Sequence, residues 1–221
     1  MEDSLLKEQT GLKPIKNYGE AFRTKKVIAF SFVHFFWNIG MYGFIMWLPS
    51  ILKNASNMGL VETGWLTSVP YAIAVLFMIS VSYYSDRSQN RKGVVVLFLL
   101  IGAICFLGSY LIGASNFWLS YSLLVIAGAS MYTPYGPFFA AIPEIIPKNV
   151  AAGATAFIVS FGALGSFVGA YIIGYLNGVT GSPSASYGFM AGSLLLAVAL
   201  TAMTNFSVSD AKEKSSKTIS E

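Results

Sequence analysis

The chain has 221 residues, of which 55% are hydrophobic and only 11% are charged. Soluble domains carry about 25% charged residues, and a soluble chain of this length could not bury so much apolar surface. The composition therefore excludes an ordinary cytosolic enzyme, a nucleic-acid reader and a disordered tail. Aromatic residues make up 15% of the chain and glycine numbers 21, which is typical of a helical membrane protein. The single cysteine, Cys105, excludes an intramolecular disulfide.

Six apolar runs are long enough to cross a bilayer, since a spanning helix needs about 20 residues. The sequence predicts an all-α membrane protein with a polar tail over 1–26, a six-helix domain over 27–204 and a second tail over 205–221. Residues 1–26 contain no apolar core or small-residue cleavage site of a signal peptide. In chain order, the runs lie at about 27–52, 64–84, 93–113, 117–143, 151–176 and 185–204.

The positive charges are distributed asymmetrically over these runs. Of the 14 lysines and arginines, 13 fall in the two tails and in the loops after the second and fourth runs, and only Lys53 falls on the other side. Because lysine and arginine are retained in the cytoplasm, both termini are expected to be cytoplasmic. The asymmetry also predicts an even number of spans.

The loop after the second run reads S-x-x-x-D-R-x-x-x-R-K from Ser82 to Lys92. A short carboxylate such as Asp86 is favoured near the N-terminus of a neighbouring helix. The spacing resembles the loop signature of the major facilitator superfamily, G-x-x-x-D-R-x-G-R-R/K, with Ser82 and Gln89 in place of two glycines. The alternative is plain anchoring of a cytoplasmic loop by positive charge.

Three further stretches resemble one branch of that superfamily, the anion:cation symporter family. They are WLPSIL from Trp47, GWLTSVPY from Gly64, and GALGSFVGAYIIGYL from Gly162. The run YGPFFAAIPEIIP from Tyr135 is most similar to the 2-ketogluconate transporters of that family. The resemblance is to the C-terminal half only, because full members have twelve spans in two halves with the substrate between them.

The resemblance implies a fold and a function. The fold would be two inverted three-helix repeats in a bacterial inner membrane. The function would be secondary transport of an organic anion, such as a sugar acid, by proton-coupled alternating access, without enzymatic activity, cofactor or metal. The implied partners are the lipid bilayer, the anion, the proton, and a separate N-terminal half or a second copy of the chain, but no nucleic acid. The alternative is a non-transporting remnant or membrane scaffold from a split or truncated gene.

The resemblance also implies which residues form a gate on the cytoplasmic side. The carboxylate of Asp86, with Arg87 and Arg91, is expected to meet the start of the fifth helix near Ala151. Glu144 is expected to join this charge cluster. Such a contact would hold the cytoplasmic side closed and would break when the transporter opens inward.

In such a half, the first, second, fourth and fifth spans line the cavity, and the third and sixth face lipid. His34, Asn38 and Tyr42 share one face of the first span, because they are four residues apart. His34 is a candidate proton sensor, although a lone histidine is more often a packing residue. No Arg, Lys, Asp or Glu falls clearly inside a span, so the cation that binds the anion is expected in the other half.

The fourth and fifth spans supply further candidates. Pro134 and Pro137 remove backbone hydrogen bonds and predict a kink, where Tyr132 and Tyr135 would contact hydroxyl groups of a sugar acid. An aromatic belt at the lipid interface is the alternative for these tyrosines. Ser160 is the candidate on the fifth span, beside a valine that stands where many family members have asparagine. Three glycines of the fifth span form a ridge for helix packing, at Gly162, Gly165 and Gly169.

Two other classes fit less well. A rhomboid-type membrane protease would use Ser130 in Gly128-Ala129-Ser130 together with His34. However, the serine precedes the histidine in that family, and Met131 replaces the glycine expected after the serine. A channel is disfavoured because the sequence has no paired Asn-Pro-Ala boxes and no selectivity-filter run.

Overall fold

The computed structural model describes residues 18–56, 58–112 and 116–206. Most of both predicted tails, including six of their lysines, lies outside the described residues. The described residues form α-helices joined by short connections. These helices are α1 (Tyr18–Phe22), α2 (Lys25–Ser56), α3 (Leu60–Ser88), α4 (Arg91–Ile112), α5 (Phe117–Tyr132), α6 (Tyr135–Ile145), α7 (Lys148–Thr180) and α8 (Ser184–Met203).

Five of the described helices, α2, α3, α4, α7 and α8, are long and apolar enough to cross a membrane. The prediction of an all-α membrane protein is therefore confirmed. The fourth predicted span, 117–143, is a pair of helices, α5 and α6, in place of one continuous helix. Most helices also run past the apolar segments that predicted them, because polar residues at a membrane surface can continue the helical hydrogen bonds.

The break between α5 and α6 follows from the two prolines. Neither Pro134 nor Pro137 has a backbone N–H, so the carbonyls four residues earlier lose their helical donors. Thr133 caps α5 instead, donating both its N–H (3.2 Å) and its hydroxyl (2.8 Å) to the carbonyl four residues back. The indole N–H of Trp37 on α2 donates to the Met131 carbonyl at 3.0 Å. The break is therefore attached to α2 by a buried hydrogen bond.

Helix α2 is the centre of the bundle. It packs most extensively on α7 and also on α8, while α4 packs on α8 and α5, and α3 packs on α5. Phe30, Trp37 and Phe44 of α2 are among the largest fully buried side chains. A helix that is apolar on every side is expected in the interior, and α2 follows this rule.

The glycines of α7 determine how closely it approaches α2. A methyl group on Gly165 would overlap the main-chain carbonyl of Phe35, and one on Gly169 would overlap that of Ile39. Small residues allow helix backbones to approach in this way. The predicted glycine ridge therefore lies directly against the backbone of α2.

Two helices leave wide faces uncovered. Helix α3 is the least buried of the five long helices, and its buried residues form one narrow stripe that includes Pro70 and Ala74. Helix α7 exposes Phe167, Tyr171 and Tyr175 along one side. The helices that were expected to face lipid, α4 and α8, are more buried than α3 and α7, because they pack on each other.

Candidate functional site

Four tyrosines converge around the break between α5 and α6, and we call them the tyrosine cluster: Tyr42, Tyr71, Tyr132 and Tyr135. The ring centroids of Tyr71 and Tyr132 are 5.8 Å apart, edge to face, and those of Tyr132 and Tyr135 are 6.3 Å apart and stacked. Tyr42 lies one turn after Asn38 on the same face of α2, and Asn38 contacts the Tyr135 hydroxyl. The cluster therefore joins residues of α2, α3, α5 and α6.

Residues of α2 contact Tyr135 of the cluster on its buried side. The Tyr135 hydroxyl donates towards the Asn38 Oδ1 at 3.4 Å and the Met41 Sδ at 3.3 Å. The Trp37 and Tyr135 ring centroids are 4.6 Å apart. Asn38 is only 2% exposed, so its amide forms hydrogen bonds with groups of the protein.

His34 is 3% exposed and lies one turn before Asn38 on α2. Its Nδ1 is 3.2 Å from the Ile158 carbonyl of α7, and its Nε2 is 3.2 Å from the Asn38 Nδ2. Its ring stacks on Phe138 with centroids 5.7 Å apart. A neutral imidazole has one donor and one acceptor, and these two contacts can use both. The proton-sensing role of His34 stays a prediction.

Ser160 lies apart from these residues. Its neighbours Ile158 and Gly162 are buried against α2, whereas Ser160 is on the exposed side of α7. Successive residues of a helix are about 100° apart, so a residue two positions from each of these points the opposite way. The structure therefore does not bring Ser160 to the tyrosine cluster.

Sequence analysis did not select three residues that contact the predicted site. Trp37 binds the break, Met41 faces the Tyr135 hydroxyl, and Tyr71 packs on Tyr132. Tyr71 is the last residue of the GWLTSVPY stretch that resembles the symporter family. It could have been selected as a tyrosine that follows a proline in that stretch. The indole N–H of Trp37 indicates that it needs an acceptor when buried, but the sequence does not show which one, and nothing distinguishes Met41 from other apolar residues of α2.

At the other end of α3, an arginine joins three helices. The Arg91 Nη2 is 2.6 Å from the Glu144 Oε1 of α6, and its Nη1 is 3.4 Å from the Asp86 Oδ1 of α3. The Arg91 side chain is 12% exposed, and those of Asp86 and Glu144 are 65% and 44% exposed. Arg87 lies outside this ion-pair cluster and stacks over the Tyr83 ring at 5.1 Å.

The expected contact of Asp86 with the start of the fifth helix is not seen among the described residues. Asp86 pairs instead with Arg91. Only two residues, Gln89 and Asn90, connect α3 to α4, so Arg91 at the start of α4 is held beside the end of α3. The Nε and Nη1 of Arg91 and the Ser85 Oγ are buried without a hydrogen-bond partner, so the donors of this arginine are not fully used.

A cavity of about 490 Å³ lies at the opposite ends of the helices, where Lys53 falls. Trp47, Tyr121, Asn177 and Tyr187 contribute to its lining, and none of the tyrosine cluster does. Within the described parts of the chain, no group of three or more His, Cys, Asp or Glu side chains could hold a metal ion. The polar contacts described above lie at two places, the helix break and Arg91.

Comparison with known proteins agrees with this architecture. The family model of the Major Facilitator Superfamily matches residues 30–220. A protein of Agrobacterium vitis, provisionally named a tartrate transporter, is 31% identical over 80% of this chain and 38% of its own length. A quinolone resistance transporter of Acinetobacter baumannii is 25% identical over 82% of this chain and 41% of its own length. A protein of Pseudomonas putida, provisionally named the metabolite transport protein NicT, is 24% identical over 81% of this chain and 41% of its own length.

The chain belongs to the major facilitator superfamily. It is a multi-pass membrane protein of a transporter family and not of an enzyme family. It spans about two fifths of the length of the curated relatives that it matches.

Proposed function

We propose that this chain is the C-terminal half of a secondary active transporter, which carries an organic anion by proton-coupled alternating access. The proposed substrate is a sugar acid such as 2-ketogluconate. The observation that carries the proposal is the tyrosine cluster, which places four phenol groups around one helix break in a chain of this superfamily. The provisional tartrate assignment of one relative supports a small hydroxylated acid.

The tyrosine cluster contacts the hydroxyl groups of the substrate, and Asn38, which was a candidate for the same role, is 2% exposed and supports Tyr135 from within the protein. Broken helices in transporters bind substrates where the backbone hydrogen bonds are interrupted, and the break here lies between Tyr132 and Tyr135. Phenol hydroxyls can both donate and accept, as sugar hydroxyls do. Ser160 takes part only if a partner half covers the exposed side of α7.

The carboxylate of the substrate needs a cation, and none of the residues that the structure describes places one near the cluster. Every described lysine and arginine lies at or beside a helix end: Arg23, Lys25, Lys26, Lys53, Arg87, Arg91, Lys92 and Lys148. An unpaired anion in a low-dielectric site is costly. The anion-binding cation and the proton-coupling acids therefore belong to a partner half. His34 then serves as a packing and positioning residue, because both of its nitrogens have neutral partners.

The partner half covers the exposed faces of α3 and α7. These two helices are the least buried of the five long ones, although the resemblance places them beside the cavity. An N-terminal half from another gene or a second copy of this chain would bury them. The alternative function is that of a non-transporting remnant or membrane scaffold.

The cluster of Arg91, Glu144 and Asp86 is the proposed gate on the cytoplasmic side. It ties α4 to the end of α6 and to the end of α3, at the end of the bundle where the positive charges concentrate. That charge distribution supports cytoplasmic termini in a bacterial inner membrane. The Arg91 Nε has no hydrogen-bond partner, and its Nη1 reaches the Asp86 carboxylate only at 3.4 Å, which leaves the arginine able to exchange partners as the gate opens.

The packing pattern supports two inverted three-helix repeats, with α2, α3 and α4 in the first and the α5–α6 pair, α7 and α8 in the second. In this arrangement α2 corresponds to the α5–α6 pair, α3 to α7, and α4 to α8. The contact of α2 with α7 therefore corresponds to the contact of α5 with α3, and the contact of α2 with α8 corresponds to the contact of α5 with α4. All four of these contacts are extensive, as is the α4–α8 contact, which maps onto itself.

Uptake of labelled 2-ketogluconate in transport-deficient cells tests the proposal. The chain is expressed alone and together with a six-span N-terminal half from a close relative, with surface labelling to show that the protein reaches the membrane. Uptake only with both halves is expected. Uptake by the chain alone would contradict the argument about the absent cation, and no uptake of any sugar acid in either case would favour the remnant or scaffold.

A further inference from the structure

The contacts of His34 have a consequence for the ligand. We propose that His34, held as its neutral Nδ1–H tautomer, fixes the Asn38 amide so that Tyr135 donates its proton inside the protein and offers only an acceptor to the ligand. The ligand group that binds Tyr135 is then a hydroxyl donor and not the carboxylate. This inference rests on the proposed function only in its account of the ligand, and the state of His34 can be measured without any ligand.

The first step is the tautomer. The Ile158 carbonyl can only accept a hydrogen bond, so the His34 Nδ1, at 3.2 Å from it, must carry the proton. The Nε2 of the neutral ring is then an acceptor. Free imidazole rings can hold their proton on either nitrogen, and the partner of the other nitrogen determines which tautomer is populated.

The second step is the direction of the Asn38 amide. Its Nδ2 lies 3.2 Å from the His34 Nε2 and 3.4 Å from the His34 Nδ1. Because Nδ1 already carries the proton, only Nε2 can accept from the amide, and the Asn38 Oδ1 is left on the side of Tyr135. The side chains cannot move away freely, because His34 and Asn38 are 3% and 2% exposed. Gly162 of α7 makes the room for both, since a methyl group there would lie 2.6 Å from the Asn38 Nδ2 and overlap the His34 Nδ1.

The third step is the Tyr135 hydroxyl. It has one proton, and the two groups within reach on α2 are acceptors, the Asn38 Oδ1 at 3.4 Å and the Met41 Sδ at 3.3 Å. Whichever of them takes the proton, the hydroxyl points its proton towards α2. Its remaining lone pairs face away from α2, and there they can accept from a ligand hydroxyl. His34 is thus a positioning residue that acts through Asn38.

Nuclear magnetic resonance can read the tautomer directly, because His34 is the only histidine of the chain. The whole chain is labelled with ring-¹⁵N histidine, purified with a histidine-free tag and studied in lipid nanodiscs at neutral pH. The expected spectrum is that of the neutral ring with the proton on Nδ1. A proton on Nε2, or a doubly protonated ring, would overturn the inference.

Variants of Asn38 test the second step by the same spectrum. Asn38→Leu removes the donor to Nε2 while the Ile158 carbonyl still accepts from Nδ1, so the ring is expected to keep its Nδ1–H tautomer and the Nε2 resonance to shift as it loses its hydrogen bond. Asn38→Asp keeps the shape but cannot donate, and it is expected to abolish the neutral Nδ1–H signal even if Asn38→Leu does not fold. The exposed Asn54→Leu serves as control on the same helix. An Asn38→Asp spectrum identical to that of the wild type would contradict the proposal.

Ligand analogues test the third step in the two-half transporter. Sugar acids with one hydroxyl converted to a methyl ether can no longer donate from that position. One such ether is expected to lose about tenfold in affinity, equal to about 1.4 kcal/mol, and Tyr135→Phe is expected to remove this discrimination. Equal affinity for every ether and the parent acid would overturn the inference. No uptake of the parent acid would refute the proposed function and leave the tautomer result standing.

Discussion

Replacing Gly165 by alanine should separate α7 from α2 and destabilise the fold. The added methyl carbon would lie 2.9 Å from the Phe35 carbonyl carbon, whereas ordinary contact begins at 3.4 Å, so α7 must retreat by at least about 0.5 Å. A gap of about 0.5–1 Å forfeits a quarter to a half of the dispersion energy of each contact it opens. The obstructing atoms are main-chain atoms of a central helix, which cannot rotate away as a side chain can.

Overpacking of this kind typically costs about 1–3 kcal/mol, and we expect about 2 kcal/mol because the α2–α7 contact is the most extensive in the bundle. For a chain of this length, that corresponds to a melting temperature lower by about 4–8 °C. The matched control is Gly178→Ala on the same helix, where an added methyl group meets nothing within 4 Å. This control should melt within about 2 °C of the wild type, in line with the higher helix propensity of alanine.

The single cysteine provides the assay. Cys105 is buried in α4, so a thiol-reactive fluorophore reports its exposure as the detergent-solubilised protein is heated. If Gly165→Ala and Gly178→Ala melt at the same temperature, the close approach of α2 and α7 is wrong, and so is the reasoning from the glycine ridge.

Two further predictions concern the proposed gate and the helix break. Glu144→Gln should raise the labelling rate of a cysteine introduced at Ala152, in a cysteine-free background, more than Asp86→Asn does. The reason is that Arg91 lies 2.6 Å from Glu144 and 3.4 Å from the more exposed Asp86. Equal labelling in the two variants, or labelling unchanged from the wild type, would show that Arg91 is not part of the gate. Trp37→Phe should lower stability by about 1–3 kcal/mol, since a buried carbonyl at the break loses its donor. An unchanged melting temperature in the fluorophore assay would show that the break does not depend on this hydrogen bond.

The spans and the position of the helix break follow from the sequence, because both depend on local chemistry. A long apolar run can satisfy its backbone in a membrane only as a helix. Two prolines three residues apart remove two donors wherever they stand in a helix. The interruption of the helix beside Tyr132 and Tyr135 therefore followed from the two prolines alone.

The features that sequence reasoning missed depend on which helix lies beside which. The side of α7 on which Ser160 lies is determined by the glycine ridge, which packs the opposite side against α2; the role of Ser160 stays a prediction. To predict the partner of Asp86, one must know the direction in which α4 leaves the loop. The short connection between α3 and α4 places Arg91 nearer to Asp86 than the start of α7. The hydrogen bond of Trp37 to the Met131 carbonyl at the break is a tertiary contact between positions 94 residues apart, and no local sequence pattern predicts it.

We propose that this chain supplies the hydroxyl-binding half of an organic-anion transporter. The most direct test is the concentration dependence of 2-ketogluconate uptake in cells that express both halves, with Tyr135→Phe compared with the wild type. Tyr110→Phe, an exposed tyrosine of α4, is the control. We expect an apparent KM about tenfold higher for Tyr135→Phe, equal to about 1.4 kcal/mol of lost binding, and an unchanged value for Tyr110→Phe. The same KM in all three proteins, or no uptake by the wild-type pair, would contradict it.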